Sequence, residues 1–382
     1  MIELEFEHYQ MPGATIKVVG IGGAGGNTIN SIIQSGYHGV EFIVANTDKQ
    51  ALEMSAAQQK IHLGVKSTKG LGTGANPELG KRAAEEDLDK IMDVLEDADI
   101  VFLTAGMGGG TGSGALPVIA KALKDKGILC IAVVTKPFIF EGKRRTQIAQ
   151  DVVEKLQNEV DTLIVVPNQK LLDVVDQNVS MVDAFNMINN LLGQSVKGIA
   201  DIISKAGHIN VDFADVRTIM KDRGLALMGT ATARGARRAE EAVLEAISSP
   251  LLENMSIKGA HGVLLNVTGS KNLSLHEISQ AASIVYEMAH PEAQIILGTV
   301  VDESLQDEVR VTIIATGFSS KNELKTIQPH VSVEQKIKPA PQDAQDKIAP
   351  ARQTEQVYES IESDLDIPSF MRSESSTHND LV

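Results

Sequence analysis

Short apolar runs alternate with amphipathic stretches over the first half of the chain. The runs have almost no polar interruption, which is typical of strands covered on both faces. Between them, the stretches at 77–96 and 146–160 repeat apolar residues at helical spacing. Five strands are predicted: IKVVGIG (16–22), EFIVAN (41–46), IVFLTAG (100–106), ILCIAVVTK (128–136) and TLIVVPN (162–168). Strands that alternate with helices predict an α/β fold with a parallel sheet.

The pattern changes after Ser180. Residues 180–204 carry apolar residues at helical spacing with little interruption, which predicts one long helix. Further helices are predicted at 237–248 and 274–289. Three strand candidates follow the long helix: GVLLNVTG (262–269), QIILGTVV (294–301) and EVRVTIIATG (308–317). We therefore expect a smaller α+β domain that the long helix joins to the first domain.

The composition changes again near Ser319. The stretch at 338–356 is rich in proline, glutamine and charge and cannot bury a core, so we expect it to be disordered. Hydrophobic residues return in DLDIPSFMR (364–372), either by chance or as a short docking motif that orders on binding. The predicted organisation is an N-terminal extension (1–13), a first α/β domain (14–179), the connecting helix (180–204), a second α+β domain (205–318), a disordered linker (319–363) and a C-terminal docking motif with its tail (364–382).

Charge and cysteine content narrow the class of protein. The 382 residues carry a formal charge of −15, which argues against non-specific binding to nucleic acid. The single cysteine, Cys130, lies in an apolar run, so we expect a buried hydrophobic residue and no intrachain disulfide. The N-terminus lacks the features of a signal peptide, and no apolar run approaches the roughly 18 residues that cross a bilayer. These features predict a cytoplasmic protein.

A glycine-rich loop, GIGGAGGN (20–27), follows the first predicted strand and opens a helical pattern. Gly20, Gly22 and Gly25 match the G-x-G-x-x-G fingerprint of dinucleotide-binding proteins. Asp48 follows at the end of the second strand, where that fingerprint places a ribose-binding acid. One interpretation is therefore a Rossmann-type oxidoreductase. Another is a tight strand-to-helix turn that needs glycine for its geometry.

A second glycine-rich loop, AGMGGGTGSG (105–114), overlaps the end of the third predicted strand. Ligands of open α/β sheets bind at the carboxyl ends of the strands, so two such loops predict a cradle for a chain of phosphates. Thr111 and Ser113 offer hydroxyl groups to phosphate or to bound Mg²⁺. Neither loop contains G-x-x-x-x-G-K-[ST], so a P-loop NTPase is excluded. Arg145, with Glu141 one helical turn before it, is either the cation of this site or part of a solvated helix start.

These residues resemble the FtsZ family, the bacterial tubulin-like cell-division GTPases. GGGTGSG (108–114) is similar to the family's signature loop, and NVDFADVR (210–217), SSPLLE (248–253) and the tail at 364–372 also fit the family. The resemblance covers roughly residues 14–318. It implies a tubulin-like fold whose first domain (14–179) is a GTP-binding domain that takes GTP or GDP with Mg²⁺.

The resemblance assigns the nucleotide contacts by position. The glycine loops would hold the phosphates, Glu141 the ribose, and Phe185 the guanine together with neighbouring amides. The implied GTP-binding residues are Gly22, Gly23, Ala24, Gly25, Gly26, Asn27, Gly109, Gly110, Thr111, Gly112, Glu141, Arg145, Asn168, Phe185 and Asn189. Many family members carry Asp where this chain has Asn189. An amide presents one acceptor oxygen, so we expect guanine selectivity to be less secure than with Asp.

The resemblance places catalysis beyond the long helix. Asp212 and Asp215 would share one face of a helix that starts here, and taken alone they fit solvated or helix-capping acids. In the family, this segment of one subunit reaches the γ-phosphate on the next, which implies Asn210, Asp212 and Asp215 as catalytic residues. Hydrolysis would then require head-to-tail filaments. The scattered histidines predict no metal-ligating cluster, so Mg²⁺ would bind through the phosphates of the nucleotide.

The tail motif implies docking of partner proteins, namely membrane-anchor and regulatory division proteins, so contact with the membrane would be indirect. The implied docking residues are Asp366, Ile367, Pro368, Phe370 and Met371. Met371 replaces the usual Leu with similar volume, and the chain ends without the usual basic run. The implied location is the cytoplasm, at the mid-cell division ring. A nucleotide-gated module that assembles without hydrolysis stays open as a third interpretation.

Overall fold

The computed structural model describes residues 14–173, 175, 178–205, 209, 211–249 and 257–318. Several predictions made from sequence lie outside the described residues: the extension (1–13), the linker (319–363), the docking tail (364–382) with Asp366, Ile367, Pro368, Phe370 and Met371, and the catalytic candidate Asn210.

Within the part of the chain that the structure describes, ten strands form one sheet in the order β3-β2-β1-β4-β5-β6-β7-β10-β8-β9. The strands are β1 (Ile16–Ile21), β2 (Glu41–Asn46), β3 (Gln59–His62), β4 (Ile100–Gly106), β5 (Leu129–Lys136), β6 (Thr162–Pro167), β7 (Gly224–Arg234), β8 (Gly262–Gly269), β9 (Gln294–Val301) and β10 (Glu308–Thr316). The pairs from β3 to β7 are all parallel, whereas β10 lies antiparallel to both β7 and β8. The α/β fold class predicted from the apolar runs is confirmed.

Helices connect these strands. They are α1 (Gly22–Gln34), α2 (Lys49–Glu53), α3 (Val65–Thr68), α4 (Pro77–Glu86), α5 (Leu88–Leu95), α6 (Thr111–Asp125), α7 (Lys143–Glu159), α8 (Asn168–Leu171), α9 (Met181–Ser204), α10 (Phe213–Met220), α11 (Arg238–Ile247) and α12 (Leu275–Met288). The stretch predicted as one helix at 77–96 is two helices, α4 and α5. The helix is interrupted at Asp87, whose buried carboxylate accepts a hydrogen bond from the Gly64 N–H at 2.7 Å.

The unbroken apolar runs of the parallel strands pack into two hydrophobic cores, one on each face of the sheet. On β1, Val18 belongs to the core on one face of the sheet and Val19 to the core on the other, because successive side chains of a strand point to opposite faces. The core that contains Val18 continues along α9 to Ile314 on β10. A third core lies between the antiparallel strands and helices α11 and α12.

Strand β7 was missed by the sequence pattern, and it links the two halves of the sheet. Its first residues, Gly224–Ala226, pair with β6, and Leu227–Arg234 pair with β10. Glycine and threonine interrupt its apolar run. Gly229 is required at its position because a Cβ there would lie 2.0 Å from the carbonyl oxygen of Ala246 on α11. The domain boundaries drawn from sequence stay predictions.

Candidate nucleotide site

The two glycine loops meet backbone to backbone at the carboxyl ends of β1 and β4. Helix α1 begins at Gly22, whose φ of +73° is a conformation that favours glycine. A Cβ on Gly22 would lie 3.1 Å from the backbone nitrogen of Gly112. The sequence pattern placed the loops at one edge of a sheet, and the fold brings them into direct contact.

Other glycines of the first loop serve packing. A Cβ on Gly25 would lie 2.4 Å from the carbonyl oxygen of Thr104, so this glycine seats α1 on β4. Gly26 faces Val44 on β2, and Asn27 is exposed. None of Gly25, Gly26 and Asn27 borders the cavity described below. Their assignment as nucleotide contacts stays a prediction.

The second loop contains glycines of two kinds. A Cβ on Gly110 would lie 2.1 Å from Thr73 Oγ1, and one on Gly108 would lie 2.7 Å from the carbonyl oxygen of Arg145. Both positions are therefore closed to a side chain. In contrast, Gly109 has no atom within 4 Å of a Cβ position, and the same holds for Gly23 in the first loop. These two glycines border the cavity and keep it open.

A third loop contributes Thr73, which sequence reasoning missed. The hydroxyl of Thr111 is hydrogen-bonded to that of Thr47 at 2.7 Å and to that of Thr73 at 3.3 Å. The three threonines follow β2, β3 and β4, so the hydroxyls tie three loops together. The glycine-rich stretch GLGTGANP (70–77) was the signal in the sequence that would have pointed to this loop.

Arg145 and Glu141 form an ion pair at the side of the cavity. The Arg145 guanidinium donates to Glu141 Oε2 at 2.7 Å, and Glu141 Oε1 accepts from the backbone N–H of Phe138 at 2.9 Å. Half of the Arg145 side chain is exposed, against 16% of Glu141. The backbone bond therefore fixes the acid, while the guanidinium keeps a face open to a ligand.

The far end of the cavity holds an aromatic ring and two amides. Phe185 lies edge-on to Phe138 with ring centroids 5.6 Å apart. The Oδ1 atom of Asn168 is buried and has no hydrogen-bond partner among the described residues. Asn189 Oδ1 accepts a bond from Thr28 Oγ1 at 3.4 Å. A buried acceptor without a partner is costly, so Asn168 is suited to a ligand with N–H donors, such as a purine base.

The cavity has a volume of about 240 Å³. The predicted residues that border it are Gly22, Gly23, Ala24, Gly109, Gly110, Thr111, Gly112, Glu141, Arg145, Asn168, Phe185 and Asn189. The residues that sequence reasoning missed are Ile21, Thr73, Gly106, Met107, Thr135, Pro137, Ile188 and Leu192. The lining combines the backbone of the glycine loops, one cation and hydroxyls with an aromatic ring and amides, which suits a nucleotide.

The predicted catalytic acids lie elsewhere. Asp212 caps α10 by accepting a bond from the Asp215 N–H at 2.8 Å, and both side chains are exposed. Helix α10 is held at the edge where β5 begins, because Arg217 donates to the carbonyl oxygen of Gly127 at 3.0 Å. The cavity lies at the other end of β5, next to Thr135.

Helix α9 gives the distance between these two edges. Phe185 borders the cavity, whereas Ile202 and Val211 both lie within 3.2 Å of a Cβ position on Gly298. Ile202 follows Phe185 by 17 residues on α9, or about 26 Å at 1.5 Å per residue. Val211 precedes Asp212 directly. The acids and the cavity of one chain are therefore separated by the height of the sheet.

Comparison with known proteins identifies the family of this chain. A model of the tubulin/FtsZ family GTPase domain matches residues 15–176, and one of the FtsZ family C-terminal domain matches residues 224–319. The structure of an FtsZ dimer from M. jannaschii is 44% identical, with a TM-score of 0.77, over 81% of this chain and 89% of that chain. This chain belongs to the tubulin/FtsZ family. It is a GTPase of a family that binds GTP or GDP.

More distant relatives share the fold of the tubulin/FtsZ family. CetZ2 from Haloferax volcanii is 22% identical, with a TM-score of 0.69, over 81% of this chain and 95% of that chain. Among the described residues, no helix of the chain is long and apolar enough to span a bilayer.

The oxidoreductase interpretation is not supported. It required Asp48 to reach a ribose. The Asp48 carboxylate instead caps α2, accepting from the N–H groups of Gln50 at 2.9 Å and Ala51 at 3.3 Å, and it does not border the cavity. The G-x-G-x-x-G match reflects packing of α1 on β1 and β4, since a Cβ on Gly20 would lie 2.4 Å from the Gly25 carbonyl oxygen.

Proposed function

We propose that this chain is a GTP-dependent, self-assembling filament protein of the bacterial division ring. The observation that carries the proposal is the separation of the nucleotide cavity from Asp212 and Asp215 by the height of the sheet. Two copies stacked head to tail would bring one copy's acids to the other copy's nucleotide. The solved relatives include an FtsZ dimer and a CetZ2 protofilament with bound GTPγS, which supports such stacking.

Different residues of the chain would bind different parts of the nucleotide. Backbone N–H groups of the two glycine loops face the phosphates, Arg145 adds one positive charge, and Phe185 lies beside the base. Thr73 and Thr111 border the cavity with hydroxyl oxygens, which are ligands that suit Mg²⁺, so these residues fit a nucleotide with its metal. Bound Mg²⁺ offsets charge on the phosphate oxygens.

The acids would complete the site from the neighbouring copy. Phosphoryl transfer depends mainly on positioning and on charge stabilisation. The Asp212 and Asp215 carboxylates, with the predicted contribution of Asn210, would accept hydrogen bonds from a water and direct it at the γ-phosphate. GTP turnover would therefore begin only when filaments form, and hydrolysis would weaken the junction and drive filament turnover.

Mixing two inactive variants tests the shared site. Gly109→Val fills the cavity and blocks GTP binding, and Asp212→Asn removes a charge while keeping a side chain that caps α10. In a mixture, a junction between nucleotide on Asp212→Asn and acids of Gly109→Val is complete, so phosphate release should recover. Wild-type specific activity should also rise with protein concentration. Co-assembled mixtures without any recovery, together with concentration-independent wild-type activity, would contradict the proposal.

We further propose that residues 364–372 recruit membrane-anchor and regulatory proteins to a cytoplasmic ring at mid-cell. The composition of the linker predicts that it does not pack, so deletion of residues 364–382 should leave assembly and GTP turnover nearly intact. Binding to a membrane-anchor partner should be lost, which a pull-down with purified partner measures. Full-strength binding by the truncated protein would show that the docking residues are wrongly assigned.

A further inference from the structure

A second cavity lies on the same two helices as the nucleotide site. It has a volume of about 310 Å³ and lies where α1, α9 and β10 meet. Its lining residues are Ser31, Ile32, Ser35, Asn190, Gly193, Gln194, Lys197 and Arg310. Its volume lies at the lower end of the range typical of small-molecule sites.

The walls of this cavity are held by close contacts between α1 and α9. Ser31 Oγ donates to Asn190 Oδ1 at 2.7 Å. A Cβ on Gly193 would lie 2.9 Å from Ile32 Cγ1, so the two helices approach as closely as a glycine permits. The cavity is therefore a formed feature of the fold.

The lining carries two cations and no acid. Arg310, on β10, is half-buried, and its guanidinium has neither a hydrogen bond nor an ion pair with any residue that the structure describes. Two other arginines in the same half of the chain are ion-paired: Arg234 with Glu308, and Arg238 with Glu277. A partly buried charge without a partner is unfavourable, and an anion in the cavity would relieve that cost.

Lys197, the second cation, has its charge only partly offset. Its ammonium lies 5.7 Å from the centre of the Tyr37 ring. Burial alone would raise the pKa of Asp302, but hydrogen bonds from Ser304 and the charges of Lys197 and Lys205 hold that pKa below its ordinary value. Asp302 is therefore ionised at neutral pH and is shared between two lysines. Asp302 does not border the cavity, so the cavity keeps its positive character although the chain has a net charge of −15.

We propose that this cavity binds a small phosphate-bearing anion. The planar guanidinium of Arg310 matches two phosphate oxygens at once, and the ammonium of Lys197 adds a second charged contact. The side-chain amide of Gln194 supplies a further neutral donor. The cavity is distinct from the nucleotide site, because α9 contributes different residues to each.

Calorimetric titration of the full chain with pyrophosphate tests the site. Saturating GDP occupies the nucleotide cavity, and Mg²⁺ is left out so that pyrophosphate stays free. We expect one binding event per chain. Arg310→Gln should weaken it about tenfold or more, because a charge-assisted contact is lost. Gln194→Glu keeps the size of an exposed side chain and adds a negative charge, so it should weaken binding to a similar degree.

The matched control is Arg234→Gln, which removes an exposed positive charge from the neighbouring strand and should leave the affinity within about twofold. Gln194→Glu keeps the test decisive even where Arg310→Gln fails to fold, since it alters no buried group. Absence of saturable binding, or wild-type affinity in both cavity variants, would overturn the proposal. Binding that disappears as GDP is raised would place pyrophosphate in the nucleotide site and would overturn it equally.

Discussion

Two edges of the sheet differ in whether their polar groups already have partners: the nucleotide edge, beside the cavity at Thr135, and the α10 edge, beside Gly127. At the nucleotide edge, Gly23 and Gly109 have open space where a side chain would lie. The buried Oδ1 atom of Asn168 has no hydrogen-bond partner among the described residues. At the other edge, the Asp212 carboxylate already has a partner, the first turn of its own helix. The nucleotide edge is therefore suited to a ligand, whereas the α10 edge has its cap satisfied and presents charge outward. Half of the proposed chemistry lies at each end of the molecule.

The largest effect that separates the two edges is expected from Gly109→Val. A Cβ on Gly109 has no protein atom within 4 Å and the residue borders the cavity, so GTP affinity should fall about 100-fold, or about 2.7 kcal/mol, with thermal stability unchanged. Gly110→Val is the matched comparison, because its side chain collides with Thr73 and should lower stability as well as binding. Titration calorimetry and thermal unfolding measure both. Normal GTP affinity in folded Gly109→Val would refute the placement of the phosphates.

Asp212→Asn probes the other edge. Turnover in assembled protein should fall at least about tenfold, or about 1.4 kcal/mol of transition-state stabilisation, while GTP affinity is unchanged. Asn keeps the cap of α10, whereas Asp212→Ala should also cost about 1 kcal/mol of stability. Phosphate release normalised to pelleted filament is the measurement. An assembled Asp212→Asn protein with wild-type turnover would remove this acid from the mechanism.

Asn168→Leu tests whether the unpartnered acceptor is kept for the ligand. Removal of the amide should weaken GTP binding by about five- to tenfold, because one hydrogen bond to the base is worth about 1 kcal/mol. Stability should be preserved or raised, since a buried acceptor without a partner is eliminated. Weaker GTP binding together with unchanged or higher stability is the distinguishing result. Lower stability with unchanged affinity would mark Asn168 as a structural residue.

The smallest effect is expected from Asn189→Asp. A carboxylate presents two acceptor oxygens, so one can keep the bond from Thr28 while the other faces the guanine amino group. The preference for GTP over ITP, which lacks that amino group, should rise about threefold. Competition binding with the two nucleotides measures it. An unchanged ratio would show that Asn189 does not contact the base edge.

Local periodicity was a sound guide where an apolar run has clear breaks on both sides. The predicted strands at 41–46, 262–269 and 294–301 coincide with the observed ones, because each is mainly apolar and is flanked by such breaks. It failed at β7, where Gly229 is required by the close approach of α11 and the Thr230 hydroxyl is hydrogen-bonded to that of Thr312 on β10. It also failed at Asp87, a charged residue in a helical stretch that is buried by a contact with Gly64.

The chain alone determined the α/β class, the two glycine loops and the family, because short-range patterning and rare residue combinations are written in consecutive positions. Only the tertiary structure decided which glycines border the cavity and which seat a helix: Gly109 borders the cavity, whereas Gly25 packs α1 against β4. It also decided that Thr73 joins the site and that Asp212 lies at the opposite edge. Contacts between distant residues follow from packing and chain direction, which no local pattern encodes.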